Sequence, residues 1–357
     1  METRQLGASG LFVPVLSYGT GFFAPHLDDG PPTLDQDEAR RMVGICLDHG
    51  VTMFDTATTY GLGHSEEILG KAIKGRRDEV LISTKAGMPS GPGPNQVGLS
   101  RLNLTKSIDQ SLRRLGTDYI DLFHVHIFDG LTPVEETLST LDDFVRAGKI
   151  RYLGVSNQSA WHVMKAQALA EKYGYSRYVA QQIHYSLLCR DYELDLMPLG
   201  ADQGLGAIVW SPLAWGLLTG RIKRGVPWPE NSRLNWMLKD APPFAEDDLY
   251  AIGDALEDVA EETGKTVPQV AINWLLQRPT VSSVIIGART EEQLLQNIDA
   301  ATWALTPEQV DRLAAASKLL PLYPNWHYAR YAADRHPTLV DIDGDAWLPE
   351  IVNPSDR

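Results

Sequence analysis

The chain has 357 residues, 43% of them hydrophobic and 22% charged, the balance of an ordinary globular protein large enough to bury a full core. Its 46 acidic residues against 32 basic ones leave a formal net charge of −14, which argues against nucleic acid or an anionic membrane surface as partner. Two cysteines, Cys46 and Cys189, are too few for a disulfide framework, and no apolar leader or membrane-length run is evident, so the expected setting is cytoplasmic.

In chain order, TRQLGASGLFVPV reads as a hairpin turning around Gly7–Gly10, sized to plug the bottom of a barrel. Short runs rich in Val, Ile, Leu and Phe then alternate with longer stretches of helical period. Strands are expected at 15–19, 51–55, 80–85, 119–126, 152–156, 179–183, 207–211 and 283–287. Between them, LDQDEARRMVGICLDHG, SEEILGKAIKG, LTKSIDQSLRRLG, PVEETLSTLDDFVRAGK, AWHVMKAQALAEKYG, LMPLGADQG and DLYAIGDALEDVAEETGK read as helices. Cys46, inside the first, reads as a core thiol. Ser65, followed by two acids, reads as a helix-capping residue.

Eight strands alternating with helices imply a parallel sheet, and closing it gives an α/β fold of the (β/α)8 TIM-barrel class. An open doubly wound sheet is the rival, weakened because no GxGxxG follows the first strand. No linker breaks the pattern, so residues 1–357 read as one domain: a hairpin over 1–14, a barrel over about 15–315, and an extension over about 316–357. The stretches 86–101, 217–243 and the tail from Leu319 are too long for simple connections, which marks them as loops over the C-terminal face of the barrel.

Residues at the strand ends of such a barrel share one mouth. Here they are Gly19, Asp55, Lys85, His126, Ser156 with Asn157, Gln182, Ser211 and Gly287. Tyr60 follows Asp55 closely in FDTATTYGLGHSEE. A phenol is a weak acid, an ammonium beside it favours the phenolate, and a carboxylate keeps that ammonium charged and in place. A histidine alongside can hydrogen-bond a carbonyl oxygen. Taken singly, an Asp at a strand end is usually a cap and a Lys there is usually half of a structural ion pair; the signal lies in the four together. His124 shares a strand face with His126 one layer deeper and reads as a packed core histidine, while His64 reads as solvated. No metal site is expected.

On FDTATTYGLGHSEEILGKAI, LISTK, LRRLGTDYIDLFHVH, RAGKIRYLGVSN, WSPLAWGLLTG and IIGARTEEQLLQNI, the chain resembles the aldo-keto reductase family over roughly residues 4–315. The resemblance implies an NADPH-dependent carbonyl reductase, with NADPH/NADP+ as cofactor and Tyr60 as proton donor aided by Asp55, Lys85 and His126. It further implies that Ser156, Asn157 and Gln182 meet the nicotinamide carboxamide, with Gly19, Thr20 and Asp55 alongside and Trp210 stacked on the ring. Ser211, Pro212, Leu213, Gly216, Leu217 and Arg221 match the loop that covers the pyrophosphate. Gly287, Arg289, Gln293 and Asn297 match the adenosine and 2′-phosphate contacts. Arg289 favours NADPH over NADH, since its fork fits a phosphate dianion, whereas Gly287 stands where some members carry a lysine.

Phe23, Met88, Phe128, Trp215 and Trp236, with Tyr323 and Trp326 of the tail, read as walls of a pocket for a small, neutral, partly apolar carbonyl compound. Two other functions stay open at this level. One is a Schiff-base aldolase with Lys85 as nucleophile. The other is a regulatory subunit of the same fold that binds NADPH and turns over slowly. Whether the chain forms a homo-oligomer is also left open.

Overall fold

Ten short strands form the sheets of this computed structural model, which describes residues 1–25, 33–228, 244–319 and 322–331. β1 (Thr3–Gln5) and β2 (Phe12–Pro14) pair antiparallel as the expected hairpin. The other eight are β3 (Leu16–Gly19), β4 (Met53–Asp55), β5 (Leu81–Ala86), β6 (Ile120–Val125), β7 (Ile150–Ser156), β8 (Tyr178–His184), β9 (Gly206–Trp210) and β10 (Val281–Ile286). They close into one parallel barrel in sequence order, with β10 pairing back onto β3. β6 and β10 are buried along their whole length, as strands covered on both faces must be.

The expected helices are present as α1 (Gln36–Asp48), α2 (His64–Ala72), α3 (Arg101–Leu115), α4 (Val134–Arg146), α5 (Ala160–Tyr173), α6 (Leu196–Gln203) and α7 (Glu246–Thr263). α9 (Glu291–Asp299) follows the last strand. Three further helices lie outside the sequence reading: α8 (Val267–Leu276), α10 (Pro307–Ala316) and α11 (Asn325–Tyr331). Cys46 on α1 is fully buried, as a core thiol should be.

The hairpin closes the barrel floor. Leu6 and Val13 pack on Met53, Leu122, Ala180, Ile208 and Ile285, the lowest inward-facing layer. Gly7 has φ +57°, and a Cβ there would come within 2.3 Å of the Gly204 carbonyl oxygen, so the hairpin seats only with glycine. Period-two alternation carries each strand upward from that floor. Leu122 leads to His124 and His126, Ala180 to Gln182 and His184, and Ile208 to Trp210. His124 is fully buried and lies in register with Gly154 of β7. A Cβ on Gly154 would come within 2.3 Å of the His124 ring, so the imidazole occupies the space a side chain at 154 would need.

Candidate active site

Asp55 ends β4, Lys85 lies one residue from the end of β5, and His126 follows β6 directly. Tyr60 opens a single 3-10 turn, Tyr60–Gly63, between β4 and α2. The structure brings these four together. Lys85 is fully buried, and its ammonium donates to Asp55 Oδ1 at 2.5 Å, the Thr56 carbonyl at 2.7 Å and Tyr60 Oη at 3.2 Å. Three donors meet three acceptors, which uses the full capacity of the group. Asp55 Oδ2 accepts from Ser83 Oγ at 2.8 Å and from Gln182 Nε2 at 2.7 Å.

Burial by itself would strip the Lys85 proton; the Asp55 carboxylate and then Tyr60 more than offset it and hold the ammonium above its ordinary value. His126 responds in the opposite sense. Burial, reinforced by the Lys85 charge, pushes it down to about 3, so its ring is neutral near pH 7. That ring stands edge-on to Tyr60 with centroids 6.1 Å apart, and its buried Nδ1 has no partner among the described residues. The Asn157 side-chain amide donates to the His126 carbonyl at 2.9 Å and so fixes the loop after β6.

The remaining sequence-selected residues fall in two groups around this centre. Gly19 is in register with Asp55, and Thr20 donates its backbone N–H to the Asp55 carbonyl at 2.8 Å. Ser156 Oγ donates to the Gln182 carbonyl at 2.9 Å. Trp210 faces the lumen above Ile208, its ring 4.7 Å from His184 and 5.5 Å from Trp215. Beyond it the chain is strained: Ser211, Ala214 and Trp215 have φ of +55°, +47° and +58°, and Gly216 has +98°. Non-glycine residues in that region are costly and concentrate at ligand sites. Pro212 and Leu217 are buried under this loop, Leu213 is half-buried, and Arg221 is exposed.

After β10, Gly287 is exposed, and its carbonyl accepts from Asn297 Nδ2 at 3.1 Å. Gln293 Oε1 accepts the Arg289 N–H at 3.0 Å, and Thr290 caps α9. Gln293 and Asn297 thus brace the loop that presents Arg289. No ion pair among the described residues involves the Arg289 guanidinium.

The residues selected for the pocket wall lie in different settings. Phe23 is fully buried, its ring 5.8 Å from that of Tyr18. Met88 and Trp215 are half-buried, and Phe128 is 42% exposed with its ring stacked 3.8 Å from His162. Tyr323 and Trp326 are exposed, and Trp236 lies outside the described residues.

Ser65 is a correction. It caps nothing; it is buried inside the first turn of α2, donating to the Thr20 carbonyl at 2.8 Å. Sequence reading also passed over Ser83 and His184. Period two would have found both, since each lies two residues from a selected group on the same strand face.

A closed parallel barrel with a hairpin floor thus carries at its mouth a buried lysine–aspartate pair joined by Tyr60. The sequence profile of the Aldo/keto reductase family matches residues 16–318, and the chain belongs to that family, whose members are oxidoreductases acting on carbonyl groups. The chain is 36% identical over 334 residues to a probable voltage-gated potassium channel subunit beta of Arabidopsis thaliana, covering 91% of this chain and 99% of that protein. It is 36% identical over 312 residues to the L-glyceraldehyde 3-phosphate reductase of Escherichia coli (strain K12), covering 84% and 87% respectively. With the versiconal hemiacetal acetate reductase of Aspergillus parasiticus it shares 33% identity over 334 residues, covering 88% and 96%. Among the described residues no helix is long and apolar enough to cross a membrane, and no cluster of three His, Cys, Asp or Glu is suited to a metal.

Proposed function

We propose that this protein is an NADPH-dependent carbonyl reductase in which Tyr60 protonates the substrate oxygen. The observation that carries the reading is Lys85, fully buried and bonded at once to Asp55 and Tyr60. The donor set around the mouth fits the cofactor. Neutral amides and a hydroxyl (Asn157, Gln182, Ser156) suit a carboxamide, the Trp210 indole suits a flat ring, and Arg289 beside the α9 N-terminus suits a phosphate. When bound, the cofactor supplies a hydride from its dihydronicotinamide ring.

The chain's own residues do the rest. His126, neutral, hydrogen-bonds the carbonyl oxygen and orients it opposite Tyr60. Tyr60 gives its proton to that oxygen as negative charge gathers there. The phenolate left behind lies against the Lys85 ammonium, whose charge Asp55 maintains. The barrel floor, closed by Leu6 and Val13, confines access to the mouth. Free thiols at Cys46 and Cys189 support a reducing, cytoplasmic setting.

A Schiff base at Lys85 would need a neutral, unengaged amine; the ammonium is held protonated and fully hydrogen-bonded, which argues against an aldolase. The full-length likeness to a protein named as a potassium channel subunit supports a second reading: a slow-turnover regulatory subunit that binds the same cofactor and associates with a membrane-protein partner.

The test is NADPH oxidation with an activated aromatic aldehyde, comparing the natural chain with Tyr60→Phe. Turnover should fall by about 10²–10⁴-fold in the variant while NADPH still binds. A natural chain that binds NADPH yet reduces neither aldehydes nor ketones would displace this reading in favour of the second.

A further inference from the structure

The turn that carries Tyr60 has an unfavourable backbone. Gly61, Leu62 and Gly63 all have positive φ, +54°, +55° and +100°. Leu62 is 78% exposed, so its side chain does little to hold that shape. The restraint comes instead from the first turn of α2. The Arg114 guanidinium, from the last turn of α3, lies where a side chain at Gly63 would go: a Cβ there would sit 2.3 Å from Arg114 Cζ.

Arg114 in turn meets a group that the proposed chemistry does not use. Its Nη1 donates to Glu66 Oε2 at 3.2 Å, and Glu66 Oε1 accepts from Thr84 Oγ1 at 2.8 Å. Glu66 has no exposed surface. Thr84 precedes Lys85, so β5 holds α2 with one face through Thr84 and the phenol with the other through Lys85. Ser65 ties the same turn to the neighbouring strands. Its Oγ lies 2.7 Å from Thr20 Oγ1 and 3.0 Å from Thr56 Oγ1, and the Thr56 carbonyl accepts from Lys85.

An ion pair whose carboxylate is wholly buried, as Glu66 is, is a poor stabiliser, since apolar side chains of similar volume usually serve as well; its best-attested use is to fix register. What is in register here is the phenol. We infer that Glu66, clamped by Arg114, is a positioning residue that sets the Tyr60 hydroxyl within hydrogen-bonding reach of Lys85. The inference rests on the reading of Tyr60 as proton donor.

Two variants test it. Glu66→Gln keeps the size and the Thr84 bond but removes the charge that holds Arg114; Arg114→Met removes the guanidinium with Glu66 in place. Each should lower kcat for aldehyde reduction by about tenfold or more, with the aldehyde KM within about twofold and NADPH affinity unchanged, as misplacement of a reacting group does. In a Tyr60→Phe background neither should lower the residual rate further, because the effect acts through that hydroxyl. Unchanged kcat in a folded variant overturns the inference, and so does an equal further loss without the Tyr60 hydroxyl, which would mean general loosening. If Tyr60→Phe leaves turnover intact, the proton-donor reading fails by itself. The clamp is then decided by 13Cζ-tyrosine NMR, where the Tyr60 resonance shifts in the two variants if Glu66 sets the phenol and stays in place if it does not. Should one variant fail to fold, the other carries every measurement.

Discussion

Replacing Asp55 with asparagine keeps the size of the side chain and removes the one anionic partner of Lys85 among the described residues. The ammonium, without exposed surface, would be left with neutral acceptors only, the Thr56 carbonyl and the Tyr60 hydroxyl among them. The asparagine NH2 would also have to face either Lys85 or the pair Ser83 and Gln182, which now all donate to Asp55. Breaking a buried pair by removing one partner costs about 3–5 kcal/mol, a large share of the roughly 5–15 kcal/mol that holds a domain folded. Removing both charges, as Asp55→Asn with Lys85→Met, should cost less than the two single losses added.

The pH dependence of the same variant carries a sign. The Lys85 ammonium titrates above its ordinary 10.5 in the folded chain, so its contribution is complete below that value and is lost as pH rises through the raised one. With Asp55 gone, burial alone drives Lys85 the other way and the folded state prefers the neutral amine. The variant's stability should therefore rise from pH 7 toward 10, by up to about 1.4 kcal/mol per unit, and the gap to the natural chain should narrow. Urea unfolding at intervals across that range measures it. A loss under about 1 kcal/mol at pH 7, or a gap that does not change with pH, would refute the reasoning.

Arg289→Leu should weaken NADPH by about 10–100-fold and leave NADH within about threefold, measured by fluorescence titration; equal losses would remove Arg289 from the phosphate. Burial drives His124 well below its ordinary 6.5, His126 to about 3 and His184 to about 4, so the stability they support is complete above 6.5 and lost on acidification. His126→Gln should accordingly flatten the acid side of the unfolding profile, and the natural enzyme's rate should show no limb from His126 between pH 5 and 8. Phe23→Ala should cost about 3–5 kcal/mol by leaving a cavity, with the aldehyde KM unchanged; a KM effect without the stability loss would place Phe23 in the pocket wall.

The barrel strands were legible because each is an apolar run bounded by turn residues, and closure followed from counting them. α8 was not legible. Its residues from Gln269 to Leu276 are all buried, and its polar members Gln269 and Asn273 sit in the core rather than on a solvent face, so the apolar stripe of an amphipathic helix was not there to read. At the site, Asp55, Lys85 and His126 could be chosen from strand ends alone, and Tyr60 from its closeness to Asp55. Their mutual contacts could not. Gln182, chosen as a strand-end residue, donates to Asp55 from 127 positions away, and the partners of Ser65, Thr20 and Thr56, directly follow β3 and β4, so local rules made a capping residue of a buried hydroxyl. The burial of Phe23 was not legible for a similar reason, since nothing local distinguishes a loop aromatic turned inward from an exposed one.

The pairing of His124 with Gly154 has a consequence for how this chain can change over generations. The imidazole fills the volume that a side chain at 154 would occupy, so the two positions divide one allotment of space between adjacent strands. A methyl group at 154 is admissible only after 124 has shrunk, and a small residue at 124 alone leaves a void over the glycine. Drift at either site is therefore conditional on the other. Descendants of this chain should carry the large–small arrangement or its reverse, with the intermediates between them poorly folded and short-lived.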